Sequence, residues 1–144
     1  MENDTQAKIT LLYPDRLPRY ARSSDVITTP LVDAALGSQG FVSGYTEFAG
    51  GAALPFHSHN CAESVVVIEG AAIVDMLDEA HPLRAQDATF IPANVPHRFR
   101  NASATAPMKI LWIYGRTDVT RTMTETGETQ FITGEHRTPA SSKG

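Results

Sequence analysis

The sequence predicts an all-β domain, folded as a β-sandwich or a closed β-barrel, on three observations. From Phe41 onward, short runs rich in Val, Ile, Phe, Tyr and Thr alternate with turn residues, as in Gly50-Gly51 and Asp78-Glu79. No stretch has the spacing and length of a long helix. The 144 residues, of which 42% are hydrophobic and 19% charged, suit one globular domain.

The strand pattern is clearest in the middle of the chain, where runs of β-forming residues stop at glycine or proline. The strongest run is Met108–Tyr114. The last two runs are weaker and exceed what a minimal barrel needs, so we expect them to pair at an edge or with a second subunit. The predicted strands span residues 41–48, 54–58, 63–69, 71–77, 88–91, 97–101, 108–114, 119–123 and 129–132.

The first forty residues give the weakest pattern. Residues 9–13 and 26–29 have strand composition, and residues 33–36 suit one helical turn before Gly37. The sequence leaves open whether this segment closes its own barrel or swaps onto a neighbouring subunit. The predicted divisions are N-terminal strands or an extension packed on the barrel (1–40), the barrel (41–115), C-terminal strands (116–133) and a polar, disordered tail (134–144).

Composition narrows the functional classes. The net charge of −4, without a run of basic residues, argues against nucleic-acid binding. The apolar runs, such as residues 65–68, are far too short to span a bilayer. The first residues have neither the basic start nor the apolar stretch of a signal peptide, and the one cysteine, Cys61, fits a reducing compartment. We therefore expect a cytoplasmic protein.

Four side chains of metal-ligating type lie in two short stretches. His57 and His59 are two residues apart on a predicted strand, so both imidazoles face the same side. Glu63 follows after a short turn, and His97 on a later strand can complete the set. Three imidazoles and one carboxylate suit Fe, Mn, Co, Ni, Cu or Zn in a site with open coordination positions.

These stretches resemble the two motifs of the small single-domain cupins. Residues 51–70 read Gly, five residues, His-x-His, three residues, Glu, six residues, Gly, and match the first motif at every position. Residues 92–101 resemble the second motif through Pro92, His97 and Asn101. The resemblance covers residues 41–114 and implies a jelly-roll barrel with one metal ion inside. By this resemblance the metal ligands are His57, His59, Glu63 and His97.

Two residues depart from the second motif of that family. Gln86 and Asn94 stand where glycine is usual. Asn94 tolerates a positive φ and can make the same turn. Gln86 implies either a turn that does not need a positive φ or a turn with modest strain. Neither change affects a predicted ligand.

Several residues near the motifs have simpler interpretations. A metal-free site is disfavoured, because three buried imidazoles and a carboxylate are costly without a compensating charge. Cys61, between two predicted ligands, is interpreted as a small loop residue rather than a fifth ligand. His81 in a predicted turn and His136 in the tail are expected to be solvated surface residues.

Strand alternation assigns faces to the residues around His97. Phe99 and Asn101 share its parity and are expected to face inward, with Phe99 in core packing or at a pocket wall. Arg98 and Arg100 have the opposite parity and are expected to point outward, to solvent or an interface, rather than to clamp an anion.

Alternation does not decide which face of Met108–Tyr114 lines the barrel. Trp112 and Tyr114 alternate with Leu111 and Ile113, so both faces are apolar. An apolar outer face predicts a cover, either the N-terminal segment or a second subunit. The same choice is open for two residues of an earlier strand, Tyr45 and Glu47, which are candidates to line the cavity.

The sequence does not select a reaction. The first hypothesis is a metalloenzyme, of dioxygenase, isomerase or lyase type, that acts on a small organic molecule in the barrel, with Glu63 as a candidate proton acceptor. The second is a non-catalytic binding or sensing module with a bound metal. A purely structural metal is the third, disfavoured because such sites normally have a closed coordination shell. The apolar strand Met108–Tyr114 also predicts a homodimer. The resemblance implies the same, because small cupins commonly form dimers.

Overall fold

The structure is a computed structural model that describes residues 8–140, and this part consists of β-strands and short 3-10 turns without an α-helix. The all-β prediction is therefore confirmed. None of the helices in this range is long and apolar enough to cross a membrane. The strands are β1 (Tyr20–Ser23), β2 (Val26–Val32), β3 (Val42–Phe48), β4 (His57–His59), β5 (Glu63–Glu69), β6 (Ala71–Asp75), β7 (Ala80–Arg84), β8 (Ala88–Ile91), β9 (Arg98–Asn101), β10 (Met108–Tyr114), β11 (Thr120–Met123) and β12 (Thr129–Phe131).

The strands form two antiparallel layers around one core. The first layer is a six-stranded sheet with the order β1-β2-β3-β10-β5-β8. The second contains two three-stranded sheets, β12-β11-β4 and β7-β6-β9. Isolated bridges between His57 and His97 and between Ala53 and Arg100 join β4 and its preceding loop to the β9 edge. This double-layer order agrees with the predicted jelly roll.

Strand β10 lies at the centre of the six-stranded sheet and decides which side faces the core. Its residues alternate strictly between buried and half-exposed along the strand. Trp112 and Tyr114 are buried and face inward, whereas Leu111 and Ile113 face outward. The neighbouring strand β3 corrects one candidate assignment. Two residues considered as cavity-lining, Tyr45 and Glu47, lie on the half-exposed outer face.

The N-terminal segment differs in part from the prediction. Residues 9–13 form no strand, because Ile9 and Leu11 are exposed and have no sheet to pack against. The predicted strand at 26–29 continues to Val32, and β1 before it has no clear apolar alternation in the sequence. Strand β2 pairs with β3 of the same chain, so this segment completes its own sheet.

The predicted helical turn is present as a 3-10 turn at Ala34–Leu36. The Leu36 amide donates a hydrogen bond to Asp33 Oδ1 at 3.0 Å, which caps the first turn. Gly37 ends it with a φ of 116°, a left-handed conformation that glycine adopts without strain.

Two non-glycine residues adopt positive φ at the departures from the cupin motif. Asn94 has a φ of 68° and makes the turn expected of it. Gln86 has a φ of 81°, so of the two alternatives for this turn the strained one is observed. The backbone amide of Gln86 donates to Val67 O at 2.7 Å, which holds the turn against β5.

Residues of β9 face the directions that parity predicts. Phe99 and Asn101 are buried. The Asn101 side-chain amide donates to three backbone carbonyls in the neighbouring loops, so its role is structural. Arg98 and Arg100 point outward and both hold Asp75, at 2.9 and 2.6 Å.

The C-terminal segment is better ordered than the sequence suggests. A 3-10 turn spans Ile132–Glu135, and the chain beyond it runs beside β1, where the Ala21 amide donates to Thr138 O at 2.8 Å. Residues 134–140, which were expected to be disordered, therefore have a defined structure, and residues 141–144 of the predicted tail lie outside the described residues. The pairing depends on β1, which local sequence signals did not reveal.

Candidate metal centre

Three histidines meet where β4 borders β9. His57 and His59 lie on the same face of β4, as their spacing predicts. His57 and His97 pair through two backbone hydrogen bonds, of 3.0 Å from His57 N to His97 O and 2.9 Å in return. This pairing sets His97 directly beside His57 although forty residues separate them in sequence.

The three imidazoles form a compact cluster in the core. The ring centroids are 4.9 Å apart for His57 and His59, 4.6 Å for His57 and His97, and 5.7 Å for His59 and His97. One nitrogen of each ring lies within 4.8 Å of the other two. All three residues are at most 4% exposed. This histidine triad has the composition and spacing of a group that could hold a metal ion.

Backbone carbonyls fix the orientation of each ring. Nδ1 contacts Pro55 O at 2.7 Å in His57, Thr120 O at 3.0 Å in His59 and Val95 O at 2.8 Å in His97. A carbonyl only accepts hydrogen bonds, so we assign the proton of each neutral ring to Nδ1. Each Nε2 is then unprotonated and carries a lone pair, which is the arrangement that metal-binding histidines show.

The surroundings also favour the neutral form of two rings. Burial lowers the pKa of His57 well below its usual value, and the positive charge of Arg121 lowers it further. Burial is also the main cause that lowers the pKa of His59 to about 4, although Glu63 opposes this shift. Both imidazoles are therefore uncharged at neutral pH, as metal coordination requires.

Glu63 contributes a carboxylate from the opposite sheet. It is the first residue of β5, and its Oε1 lies 3.1 Å from Nε2 of His97 and 3.9 Å from Nε2 of His59. Burial acts to raise the pKa of Glu63, but a hydrogen bond through a proton shared with His97 Nε2, together with the surrounding charges, outweighs burial and lowers the pKa. The charged carboxylate is thus the favoured form.

The contact between Glu63 and His97 provides a test of fit for a cation. With the neutral His97 proton on Nδ1, the Nε2 lone pair and the Glu63 carboxylate oxygen face each other. Two such groups are satisfied together by a shared proton or by a shared metal ion. The donor set therefore fits a divalent ion of the Fe, Mn, Co, Ni, Cu or Zn type.

The remaining sequence candidates lie apart from the triad. Cys61 is buried between β4 and β5, and the group of metal-binding atoms found in residues 8–140 does not include it. Burial raises the pKa of its thiol. His81 is exposed as predicted, but it lies on β7 rather than in a turn, and it contacts Glu79. His136 was wrongly expected to be solvated: it is half-buried and stacks on Tyr20, with ring centroids 5.5 Å apart.

Sequence reasoning missed two polar residues beside the triad. The Tyr114 hydroxyl lies 3.3 Å from Nε2 of His59, to which it donates. Burial raises the pKa of Tyr114 well above its usual value, so the hydroxyl keeps its proton. Arg121 is 5% exposed and enters the same region from β11. The alternation of side chains along β10 left both faces of that strand possible, so it allowed Tyr114 to face the triad. No local pattern pointed to Arg121.

Two cavities border the triad at His97. The larger has a volume of about 360 Å³, in the range of small-molecule sites, and its wall is almost wholly apolar. The smaller has about 20 Å³, room for roughly one water molecule, and is lined by triad residues, Glu63, Tyr114 and Arg121 among others. The larger cavity is lined by Val74, Met76, His81, Leu83, Thr89, Phe90, Ile91, Pro92, Val95 and His97.

A double-sheet β-barrel with a histidine-rich centre in its core defines the class of protein. The cupin domain family matches residues 44–114. Protein SchB of Streptomyces halstedii is 35% identical over 99 residues, which cover 68% of this chain and 70% of that protein. The chain belongs to the cupin domain family, and the resemblance inferred from the motifs is confirmed.

Two further similarities concern proteins with polyketide-related names. Polyketide synthase CurC of Streptomyces cyaneus is 34% identical over 85 residues, covering 58% of this chain but about half, 54%, of that protein. The polyketide cyclase RemF from Streptomyces resistomycificus has a solved structure with a TM-score of 0.67 and 19% identity, covering 78% of this chain and 84% of that one. The latter similarity shows the fold alone.

Proposed function

We propose that this chain binds one divalent transition-metal ion and uses it as an enzyme on a small organic molecule. The observation that carries the proposal is the ring geometry of the triad: three buried imidazoles converge, each with its Nδ1 against a backbone carbonyl. Such preorganisation has a cost in buried polar groups, which a bound cation offsets. The proposed ligands are His57, His59, Glu63 and His97.

The residues around that ion would have different roles in the reaction. A divalent ion in this position supplies a Lewis acid that polarises an oxygen of the substrate. The triad would hold the ion, and Glu63 would serve as a further ligand or as a proton acceptor for the substrate. Tyr114 keeps its proton, and its hydroxyl on the wall of the small cavity would be free to donate a hydrogen bond to the substrate once His59 Nε2 binds the ion.

The proposed substrate class is an oxygenated, largely apolar molecule of polyketide type. The 360 Å³ cavity beside His97 offers an apolar wall that ends at a metal-binding side chain. The name of the 34% identical relative, Polyketide synthase CurC, points the same way. Reactive β-dicarbonyl and phenolic oxygens of such molecules are good ligands for a Lewis-acidic ion.

The experiment is a product assay on protein loaded separately with Fe, Mn and Zn. Phenolic polycyclic ketones and linear β-ketones are incubated with each form, and products are followed by mass spectrometry. We expect a product that requires metal and falls at least about 100-fold in Glu63→Gln. Glu69→Gln, an exposed glutamate at the far end of β5, is the matched control and should retain full turnover.

The metal dependence of that assay separates reaction types. Turnover with Fe and dioxygen but none with Zn indicates an oxygenase, whereas comparable turnover with both indicates Lewis-acid chemistry. Saturable binding of the same compounds with no product under any metal would contradict the enzyme proposal.

The second candidate function is a metal-containing binding or sensing module. The wall of the larger cavity favours it in one respect, because the described residues that line it include no carboxylate. A module of this kind would bind its ligand tightly and release it unchanged. The product assay therefore distinguishes the two candidates directly.

We also propose a homodimer that uses the outer face of the six-stranded sheet. Leu111 and Ile113 project from this face, and Tyr45 lies beside Leu111 on the adjacent strand. A contiguous apolar patch of this kind favours association. Light scattering is expected to give twice the 15.6 kDa chain mass. A mass of one chain at all concentrations would contradict this proposal, and Leu111→Glu tests the face.

A further inference from the structure

Strand β11 brings a buried arginine to the histidine triad. In its pairing with β4, Arg121 lies opposite His59 and Met123 lies opposite His57. Directly paired residues of an antiparallel sheet point to the same face, so Arg121 enters the barrel on the side of the triad. Its side chain is 6% exposed and lines the small cavity together with His57, Glu63 and His97.

Arg121 belongs to a buried group with two positive charges and one negative charge. Its Nε donates to Glu135 Oε2, and Arg22 Nε lies 3.6 Å from Oε1 of the same carboxylate. The side chains of Arg22 and Glu135 are 11% and 9% exposed. Glu63 offsets the remaining positive charge in the metal-free protein, but a divalent ion bound at the triad leaves two net positive charges in this part of the core.

One donor of this group lacks an acceptor. Nη1 of Arg121 is buried, and among residues 8–140 no atom accepts a hydrogen bond from it. Buried guanidinium donors are rarely left unpaired, because an unmade bond to a charged donor is costly. The unpaired donor, the surplus positive charge and the small cavity coincide beside the triad.

We propose that the small cavity is an anion subsite, in which Arg121 Nη1 donates a hydrogen bond to a negatively charged oxygen of the substrate. This inference rests on the proposed function and names its substrate class more closely: a carboxylate, enolate or phenolate. The cavity of about 20 Å³ has room for one such oxygen, so the remaining atoms of the ligand would extend out of it. Glu135 holds the guanidinium in place and competes with the anion for its charge.

The test uses formate as the smallest carboxylate probe and formamide as its neutral counterpart. Trp112, the single tryptophan of the chain, lines the small cavity, so its fluorescence reports on occupancy. Both probes are titrated into zinc-loaded and zinc-free protein whose zinc content is measured on the same samples. We expect saturable binding of formate, at least about tenfold tighter than formamide, in the zinc-loaded form.

Three variants decide the role of Arg121. Arg121→Met is expected to weaken formate binding at least about tenfold and to leave formamide unchanged. Glu135→Gln is expected to act in the opposite direction and tighten formate binding, because it removes the competing charge. Arg84→Met, at an exposed arginine on β7, is the matched control and should bind formate as the wild type does.

A purely structural role for Arg121 predicts a different result. Formate binding unchanged in a folded Arg121→Met protein, or equal affinities for formate and formamide in the wild type, would overturn the proposal. Should Arg121→Met fail to fold, Arg121→Lys and Glu135→Gln still decide it, since weaker and tighter formate binding are expected respectively. A formate preference that depends on Arg121 in protein that binds no zinc would refute the proposed metal function and leave the anion subsite standing.

Discussion

Zinc-loaded protein is expected to unfold at a temperature roughly 10 °C higher than chelator-treated protein, and His97→Ala is expected to abolish most of that difference. An ion that binds only the folded state stabilises it by about 4 kcal/mol at a thousandfold excess over its dissociation constant. The triad supplies preformed ligands, because backbone carbonyls already orient the three rings. Differential scanning calorimetry with and without zinc measures the effect.

His81→Ala is the control for this prediction. It removes an imidazole that is exposed and outside the triad, so the zinc-dependent shift should remain complete. An equal zinc shift in wild type and His97→Ala would contradict this prediction, because zinc would then bind elsewhere. Glu63→Gln is expected to give an intermediate shift, since three nitrogen ligands remain.

Gly70→Ala is expected to destabilise the protein by about 3 kcal/mol, because it adds both backbone strain and a steric overlap. Gly70 joins β5 to β6 with a φ of 79°, a conformation that costs alanine about 1 kcal/mol. A Cβ there would also overlap the carbonyl oxygen of Pro107, which is backbone and cannot rotate away. Urea unfolding followed by Trp112 fluorescence measures the loss.

Gly51→Ala is a matched control for the steric part. Gly51 has a similar φ of 74°, but a Cβ at this position meets no atom within 4 Å. We therefore expect a loss of about 1 kcal/mol, from backbone strain alone. Equal losses in the two variants would show that the close approach of the Pro107 carbonyl is unimportant.

The fold was predictable wherever strands have an apolar face and end in turns of clear chemistry. Strands 63–69, 88–91 and 108–114 were predicted with their observed bounds. In these segments the signals are local, because β-forming residues run along the strand and a glycine or proline directly follows it. By contrast, β1 and the ordered segment after Gly134 depend on each other, through bonds such as Ala21 N to Thr138 O. No local pattern records a pairing between segments more than a hundred residues apart.

The candidate site was likewise predictable from local spacing and motifs, but not where it depends on the pairing of distant strands. The His57-x-His59 spacing sets two rings on one strand face, and the family motif added Glu63 and His97. The structure groups the three imidazoles and brings Glu63 within 3.1 Å of His97. Arg121 was not predicted as a site residue. The sequence Thr-Arg-Thr-Met has no apolar alternation, so it does not indicate which side of β11 faces inward. Only the pairing register of β11 with β4 shows that Arg121 faces the triad. Its charge partner, Glu135, lies in a segment that was expected to be disordered.

The metal content of the purified protein tests the central claim most directly. Wild-type protein and the His57→Ala, His59→Ala double variant are purified without a metal-affinity tag and analysed by elemental mass spectrometry. The account predicts close to one equivalent of a first-row transition metal per wild-type chain and its loss in the variant. Wild-type protein that contains no metal, and takes up none after reloading, would contradict it and assign the triad and Glu63 to packing or to a metal-free pocket.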